Sequence, residues 1–271
     1  MRILKLSVSN IAWSADRDDE IFYFLSENNY TGLEIAPTRV IPDTPYDKLP
    51  EAVRFSNGLH ERYALKISSM QSIWFGITES IFGSETERES LVDYTKKAID
   101  FACAVGCGNL VFGCPKNRAI PEGLSLSDCL PIAHEFFRII GDYAAKSGTY
   151  IAIEANPPIY NTNFINTTAE AFDLCKELNN PGVKVNIDLG TIIYNNESMQ
   201  LIYDNITQIN HVHISEPYLA PVEKRQLHIE LLYKLKSLDY DKYISIEMGN
   251  KNDIDVVKNT ILYVKELCDD L

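Results

Sequence analysis

Apolar and polar positions along this chain fall into two alternating rhythms. Short apolar runs with β-type alternation are each followed by a longer run with helical spacing. Ile3 to Asn10 predicts a first strand. A helix to about Asn29 follows it, capped by Asp18 or Asp19, with Ile21, Phe22, Phe24 and Leu25 as its buried stripe. Residues 31–37 predict strand two, a helix lies within 46–64, and 65–71 predict strand three. The stretch from Ser72 to Thr86 reads as a long loop carrying Trp74, Phe75 and Phe82. A helix over 87–105 stops at Gly106, and 109–113 predict strand four. After a loop at 115–123, a helix over 126–146 stops at Gly148.

The second half repeats the rhythm. Strands are expected at 150–154, 183–187, 209–214 and 243–247. Their helices are expected at 168–178, 198–203, 222–237 and 254–267. Apolar strands alternating with helices imply a parallel sheet. Eight such units without a linker or composition shift predict an α/β fold, one (β/α)8 TIM barrel filling residues 1–271 as a single domain. An open doubly wound sheet is the other reading. It would carry a glycine-rich turn after strand one, and Ser9-Asn-Ile-Ala-Trp13 has none.

Composition narrows the partners. The 271 residues are 45% hydrophobic with a formal net charge of −13. That balance opposes phosphate-backbone binding, so no nucleic-acid partner is expected. No run approaches the roughly 18 apolar residues of a membrane span, so no membrane partner is expected either. The N-terminus enters a strand directly without a signal-peptide layout, which reads as cytoplasmic. The six cysteines do not form a paired zinc pattern and read as buried structural thiols. Of the histidines, His60, His134 and His228 fall in helical runs.

Candidate chemistry concentrates at the strand ends. Tyr150-Ile-Ala-Ile-Glu154, Val183-Lys-Val-Asn-Ile-Asp188 and Tyr243-Ile-Ser-Ile-Glu247 each close on a carboxylate. Asn210-His-Val-His213-Ile-Ser-Glu216 places two histidines on one strand face. In a barrel the C-terminal strand ends meet at one mouth. Glu154, Asp188, His213 and Glu247 would converge there. Three buried carboxylates repel one another unless a cation sits between them. One divalent ion resolves this. Oxygen-rich ligation with one imidazole suits Mn2+ first, with Mg2+, Co2+ or Zn2+ as alternatives. The bland alternative is that each acid caps the turn after its own strand.

With Ile153-Glu154-Ala-Asn156, Asn186-Ile-Asp188, His211-Val-His213-Ile-Ser-Glu216 and Ile244-Ser-Ile-Glu247-Met in view, the chain resembles the xylose-isomerase-like barrel superfamily of sugar isomerases and epimerases, ketose 3-epimerases included. The resemblance implies that Glu154, Asp188, His213 and Glu247 bind the metal and that Glu154 and Glu247 shuttle the proton. It also exposes departures. Thr191, Leu219 and Tyr160 stand where the ketose 3-epimerases carry a His, an Arg and a second Glu. These losses speak for a substrate other than a free ketose. The implied reaction is proton transfer beside a carbonyl through an enediolate, on a small sugar or polyol. A metal could stabilise that species, with one carboxylate on each substrate face. A keto-inositol-type dehydratase on the same metal site and a non-catalytic sugar-binding barrel are the competing readings. A three-zinc DNA-repair site would need more histidines than the five present.

Trp13, Glu34, Arg39, Gln71, Trp74 and Asn156 are candidate pocket residues, at or just beyond predicted strand ends, with Glu216 closing the strand-seven motif. Glu34 requires a partner inside an apolar strand, and Arg39 or Arg118 is expected to supply it. Alternatively those arginines hold a substrate carboxylate or phosphate, or form salt bridges at the surface or in loops. His211 is expected one layer below His213 in a structural role. The aromatic loop from Ile73 to Phe82 is a candidate lid or contact surface, and association into a homo-oligomer is left open.

Overall fold

A computed structural model of the protein describes residues 3–271, and the reading of Met1 and Arg2 as a direct lead into the first strand lies outside the described residues. Eight parallel strands close into a barrel in chain order. They are β1 (Lys5–Ser9), β2 (Gly32–Ile35), β3 (Lys66–Met70), β4 (Leu110–Phe112), β5 (Ile151–Glu154), β6 (Val183–Asp188), β7 (Ile209–Ile214) and β8 (Tyr243–Ile246). β1 pairs with β8 and seals the ring, Leu6 facing Ile244 and Val8 facing Ile246. The strands are buried almost throughout, as a sheet covered on both faces requires.

The outer ring holds α1 (Asp18–Glu27), α2 (Pro37–Val40), α3 (Leu49–Tyr63), α4 (Glu85–Ala104), α5 (Leu126–Lys146), α6 (Thr168–Leu178), α7 (Leu189–Asn195), α8 (Gln200–Asp204), α9 (Gln226–Ser237) and α10 (Ile254–Asp269). Local chemistry explains their starts. Ser84 with Glu87, Ser125 with Asp128 and Thr167 with Glu170 form capping boxes that open α4, α5 and α6. Gly106 and Gly148 follow α4 and α5 with positive φ, the backbone region that favours glycine.

Four expectations are corrected. Neither Asp18 nor Asp19 caps α1: Arg17 holds that position without a side-chain cap, and Asp18 instead accepts hydrogen bonds from Trp13 and Arg39. The long loop after β3 is shorter than expected, because the Ser84 cap starts α4 at Glu85. β6 is followed immediately by α7, which the pattern missed, and α9 begins at Gln226 rather than Val222.

Two register irregularities interrupt the ladders, one at Leu33/Glu34 between β2 and β3 and one at Val185/Asn186 between β6 and β7. Such irregularities re-aim the side chains that follow. The residues that follow here are Glu34, Asn186 and Asp188, all buried.

Candidate metal centre and the cavity above it

Each strand of the second half delivers one polar side chain to the same end of the barrel. Glu154 is the last residue of β5 and Asp188 the last of β6. His213 lies one short of the end of β7, and Glu247 one past β8. Register brings them level: Glu154 faces Asn186, and Asp188 faces His213. One donor atom from each of Glu154, Asp188, His213 and Glu247 lies within 4.8 Å of every other.

His213 is the hinge of the cluster. Its Nδ1 lies 3.0 Å from Glu154 Oε1 and 3.2 Å from Glu247 Oε2. Its Nε2 lies 2.9 Å from Glu34 Oε2, on the other side of the ring. Burial works against a charge on this imidazole, but Glu247, Glu34 and Glu154 together hold its proton well above the usual histidine range. Asn186 Nδ2 donates to Glu154 Oε1 at 2.7 Å, while Asn186 Oδ1 is buried without a partner. Asp188 accepts from the Thr191 amide and hydroxyl, both at 2.8 Å, and from the Ser215 hydroxyl. It therefore caps α7 while still presenting its carboxylate to the cluster.

The electrostatics favour a cation. Burial, then the neighbouring Glu154 charge, pushes the Asp188 carboxyl up. Burial pushes Glu247 up to about 7, against the pull of His213. Carboxyls hold protons this way when too many negative groups share a dry site. Among the described residues His213 is the one basic side chain in ion-pair contact with Glu154 or Glu247. Three carboxylates, one imidazole nitrogen and an orphaned amide oxygen match the donor preferences of a hard or borderline divalent ion. Gly113, just past β4, keeps the space open, since a Cβ there would stand 2.9 Å from Glu154 Oε2.

Above the cluster opens a cavity of about 520 Å³. Glu154, Asp188 and Glu247 reach its floor, and Gln71, Trp74, Asn156 and Glu216 stand on its walls. These wall residues are largely committed already. Gln71 donates to Ser9 Oγ at 2.7 Å. Trp74 Nε1 donates to Thr95, and its ring meets Phe112 edge-on at 4.8 Å. Glu216 is gripped by Arg225 through two contacts of 2.6 Å. Asn156 donates to Glu154 Oε2 at 3.1 Å and accepts from Arg118 Nη2 at 2.8 Å. Because an arginine only donates, Arg118 fixes which end of that amide faces Glu154.

The remaining candidates lie elsewhere. Trp13 and Arg39 do not line the cavity. Both are held by Asp18, at 2.8 and 2.7 Å, because a buried indole N–H and a guanidinium need an acceptor. Glu34 does not pair with either arginine. It sits fully buried beneath His213, and His211 Nε2 lies 3.0 Å from the same carboxylate oxygen. Arg118 is also fully buried, donating to Asn156 and the Ile165 carbonyl, and burial lowers it to about 10. The loop at 73–82 is anchored at both ends by buried Ile73, Trp74, Ile81 and Phe82, while Phe75 is 69% exposed. Tyr160 also stands on the cavity wall, its hydroxyl accepting the Tyr218 amide at 2.9 Å.

Asn186, Ser215 and Arg225 join the predicted residues at the site. Asn186 and Ser215 each lie two residues from a predicted ligand on the same strand face, so the period-two rule would have found them. Arg225 carries no such local signal.

The fold and this cluster define a barrel with an acid-rich polar centre at the C-terminal mouth, the position where barrel enzymes carry their sites. The xylose isomerase-like TIM barrel family model matches residues 22–267, and the chain belongs to that family. Among curated proteins none matches this sequence. Similar solved structures include a 3-keto-D-glucoside 4-epimerase from E. coli, with TM-score 0.78, 18% identity, and 97% of this chain and 99% of that chain covered. A D-allulose 3-epimerase from Methylomonas sp. gives TM-score 0.73 and 18% identity, covering 99% and 94%. A probable 3-DHS dehydratase from Bacillus anthracis gives TM-score 0.70 and 17% identity, covering 96% and 98%. At these identities the likeness is one of fold. No described helix is long and apolar enough to cross a membrane.

Proposed function

We propose that this protein is a divalent-metal-dependent isomerase or epimerase of a sugar or sugar derivative, moving a proton on the carbon beside a carbonyl. The observation that carries this reading is the convergence of Glu154, Asp188, His213 and Glu247 under an open cavity. Two similar structures, the keto-glucoside and allulose epimerases, act on sugars by name, which supports the substrate class. Glu154, Asp188, His213 and Glu247 would hold the ion, with Mn2+ the first choice. When bound, the ion supplies positive charge beside the substrate oxygens that become negative as the proton leaves.

The chain's own residues supply the rest. Glu154 ends β5 and Glu247 lies just past β8, on either side of Asp188 and His213. One takes the proton from the carbon, and the other returns a proton on the opposite face. Asn186 and Asn156 each donate to a different Glu154 oxygen and so orient it. Thr191 and Ser215 hold Asp188 in place. Gln71, Asn156 and Tyr160 offer polar atoms to sugar hydroxyls, and the Trp74 edge offers an apolar wall.

The test is proton exchange from heavy water on a panel of ketoses, keto-glycosides and keto-polyols with metal-loaded protein. Deuterium should enter at one carbon with wild type, and Glu154→Gln and Glu247→Gln should each lose at least a hundredfold in rate, the scale of acid–base catalysis. Exchange accompanied by water loss would make it a dehydratase instead. Full exchange in both variants would refute the assignment.

A further inference from the structure

Glu34 is a buried acid inside the barrel that the proposed chemistry does not use. It lies on β2, across the lumen from β7, with 0% exposure. Its Oε2 stands 2.9 Å from His213 Nε2 and 3.0 Å from His211 Nε2. The two rings are perpendicular, with centroids 5.2 Å apart. Neither Arg39 nor Arg118 contacts it, so its charge is met by these imidazoles.

The two nitrogens of His213 thus face different worlds. Nδ1 faces Glu154 and Glu247 in the cluster, and Nε2 faces Glu34 away from it. A neutral imidazole carries a proton on one nitrogen only. A carboxylate that accepts the Nε2 proton leaves Nδ1 with its lone pair aimed at the cluster. We infer that Glu34 is a positioning residue: it fixes His213 in the Nε2–H tautomer, so that Nδ1 is the metal-binding atom, and His211 braces Glu34 from the layer below. This rests on the metal site of the proposed function. Outer carboxylates of this kind set ligand orientation and basicity, and their loss typically weakens metal binding 10- to 100-fold.

The same three residues could be read as ligands of a second ion, since their donor atoms also lie within 4.8 Å of one another. The 2.9 Å contact between Glu34 Oε2 and His213 Nε2 is a hydrogen bond between a ring N–H and its acceptor, and the test separates the two readings.

Zn2+ is the probe. Metal stoichiometry and affinity would be measured by calorimetry on wild type, Glu34→Gln and Glu34→Asp. Ring-15N NMR of the Zn2+-loaded wild type reads the tautomer without any substitution. The expected result is one equivalent of Zn2+, a protonated His213 Nε2 with metal on Nδ1, and affinity 10- to 100-fold weaker in Glu34→Gln. Glu34→Asp, which keeps the charge, should recover part of the loss. An unprotonated Nε2, a second equivalent lost with Glu34, or affinity within twofold of wild type in Glu34→Gln would overturn the inference and leave the first site standing. No Zn2+ in wild type would overturn the site and this inference together.

Discussion

A metal site prepared without its metal should weaken the protein, and removing one of its acids should then strengthen it. Glu247 is the sharpest case. Burial raises its carboxyl from 4.5 to about 7 in the metal-free fold. Below pH 4.5 it is protonated in both folded and unfolded chains and costs nothing. Between 4.5 and 7 the unfolded chain releases the proton while the fold keeps it, so stability falls as pH rises. Above 7 the cost is complete. A gap of about 2.5 units corresponds to roughly 3 kcal/mol as an upper bound. Glu247→Gln removes that charge but keeps an oxygen that can face His213 Nδ1. Urea unfolding in EDTA at pH 5 and pH 8 measures the effect. Wild type should lose up to about 3 kcal/mol more than the variant between the two pH values. Saturating Mn2+ should reverse the order. Wild type should gain about 2.7 kcal/mol at a hundred times Kd, and the variant much less. Equal pH slopes for the two proteins in EDTA would refute the reasoning, because they would mean that Glu247 carries no strained charge.

Other perturbations test the surroundings. His228 in α9 is buried, with Nδ1 3.1 Å from the Tyr263 hydroxyl, and burial lowers it to about 4. Unfolding exposes a histidine that binds a proton below 6.5, so its contribution is present above that pH and lost on acidification towards 4. His228→Gln should flatten the pH 4–6.5 limb of the stability curve by at most about 3 kcal/mol, read by urea midpoints. An unchanged limb would disprove it. Trp74 is 3% exposed and meets Phe112 and Phe136 edge-on, besides its bond to Thr95. Trp74→Ala should cost about 3–5 kcal/mol in urea unfolding, through the cavity it leaves. A loss under 1 kcal/mol would show that the residue serves the cavity wall alone.

Much of the barrel is legible in the chain because its signals are local. The helices over 126–146 and 168–178 are legible at their observed limits, since Ser125 with Asp128 and Thr167 with Glu170 mark their starts. The strand-end residues Glu154, Asp188 and Glu247 follow from short apolar runs closing on an acid. Where a residue serves two purposes the signal fails. Asp188 ends β6 and also caps α7, so strand and helix share one residue and leave no loop to read. The stretch before α9 looks helical in composition, yet Arg225 stays extended to grip Glu216 and the helix starts one residue later.

The sequence by itself determined the eight-unit rhythm and which polar side chains stand at the ends of buried strands, because strand period and helix capping act over a few residues. Only the tertiary structure decided their partners. Glu34 and His213 are 179 positions apart and touch across the lumen. Trp13 and Arg39 turn away to Asp18, and Arg118 is buried behind Asn156. Ring closure and two register irregularities set those contacts, and a buried charge takes the nearest partner that folding brings, whatever its distance along the chain.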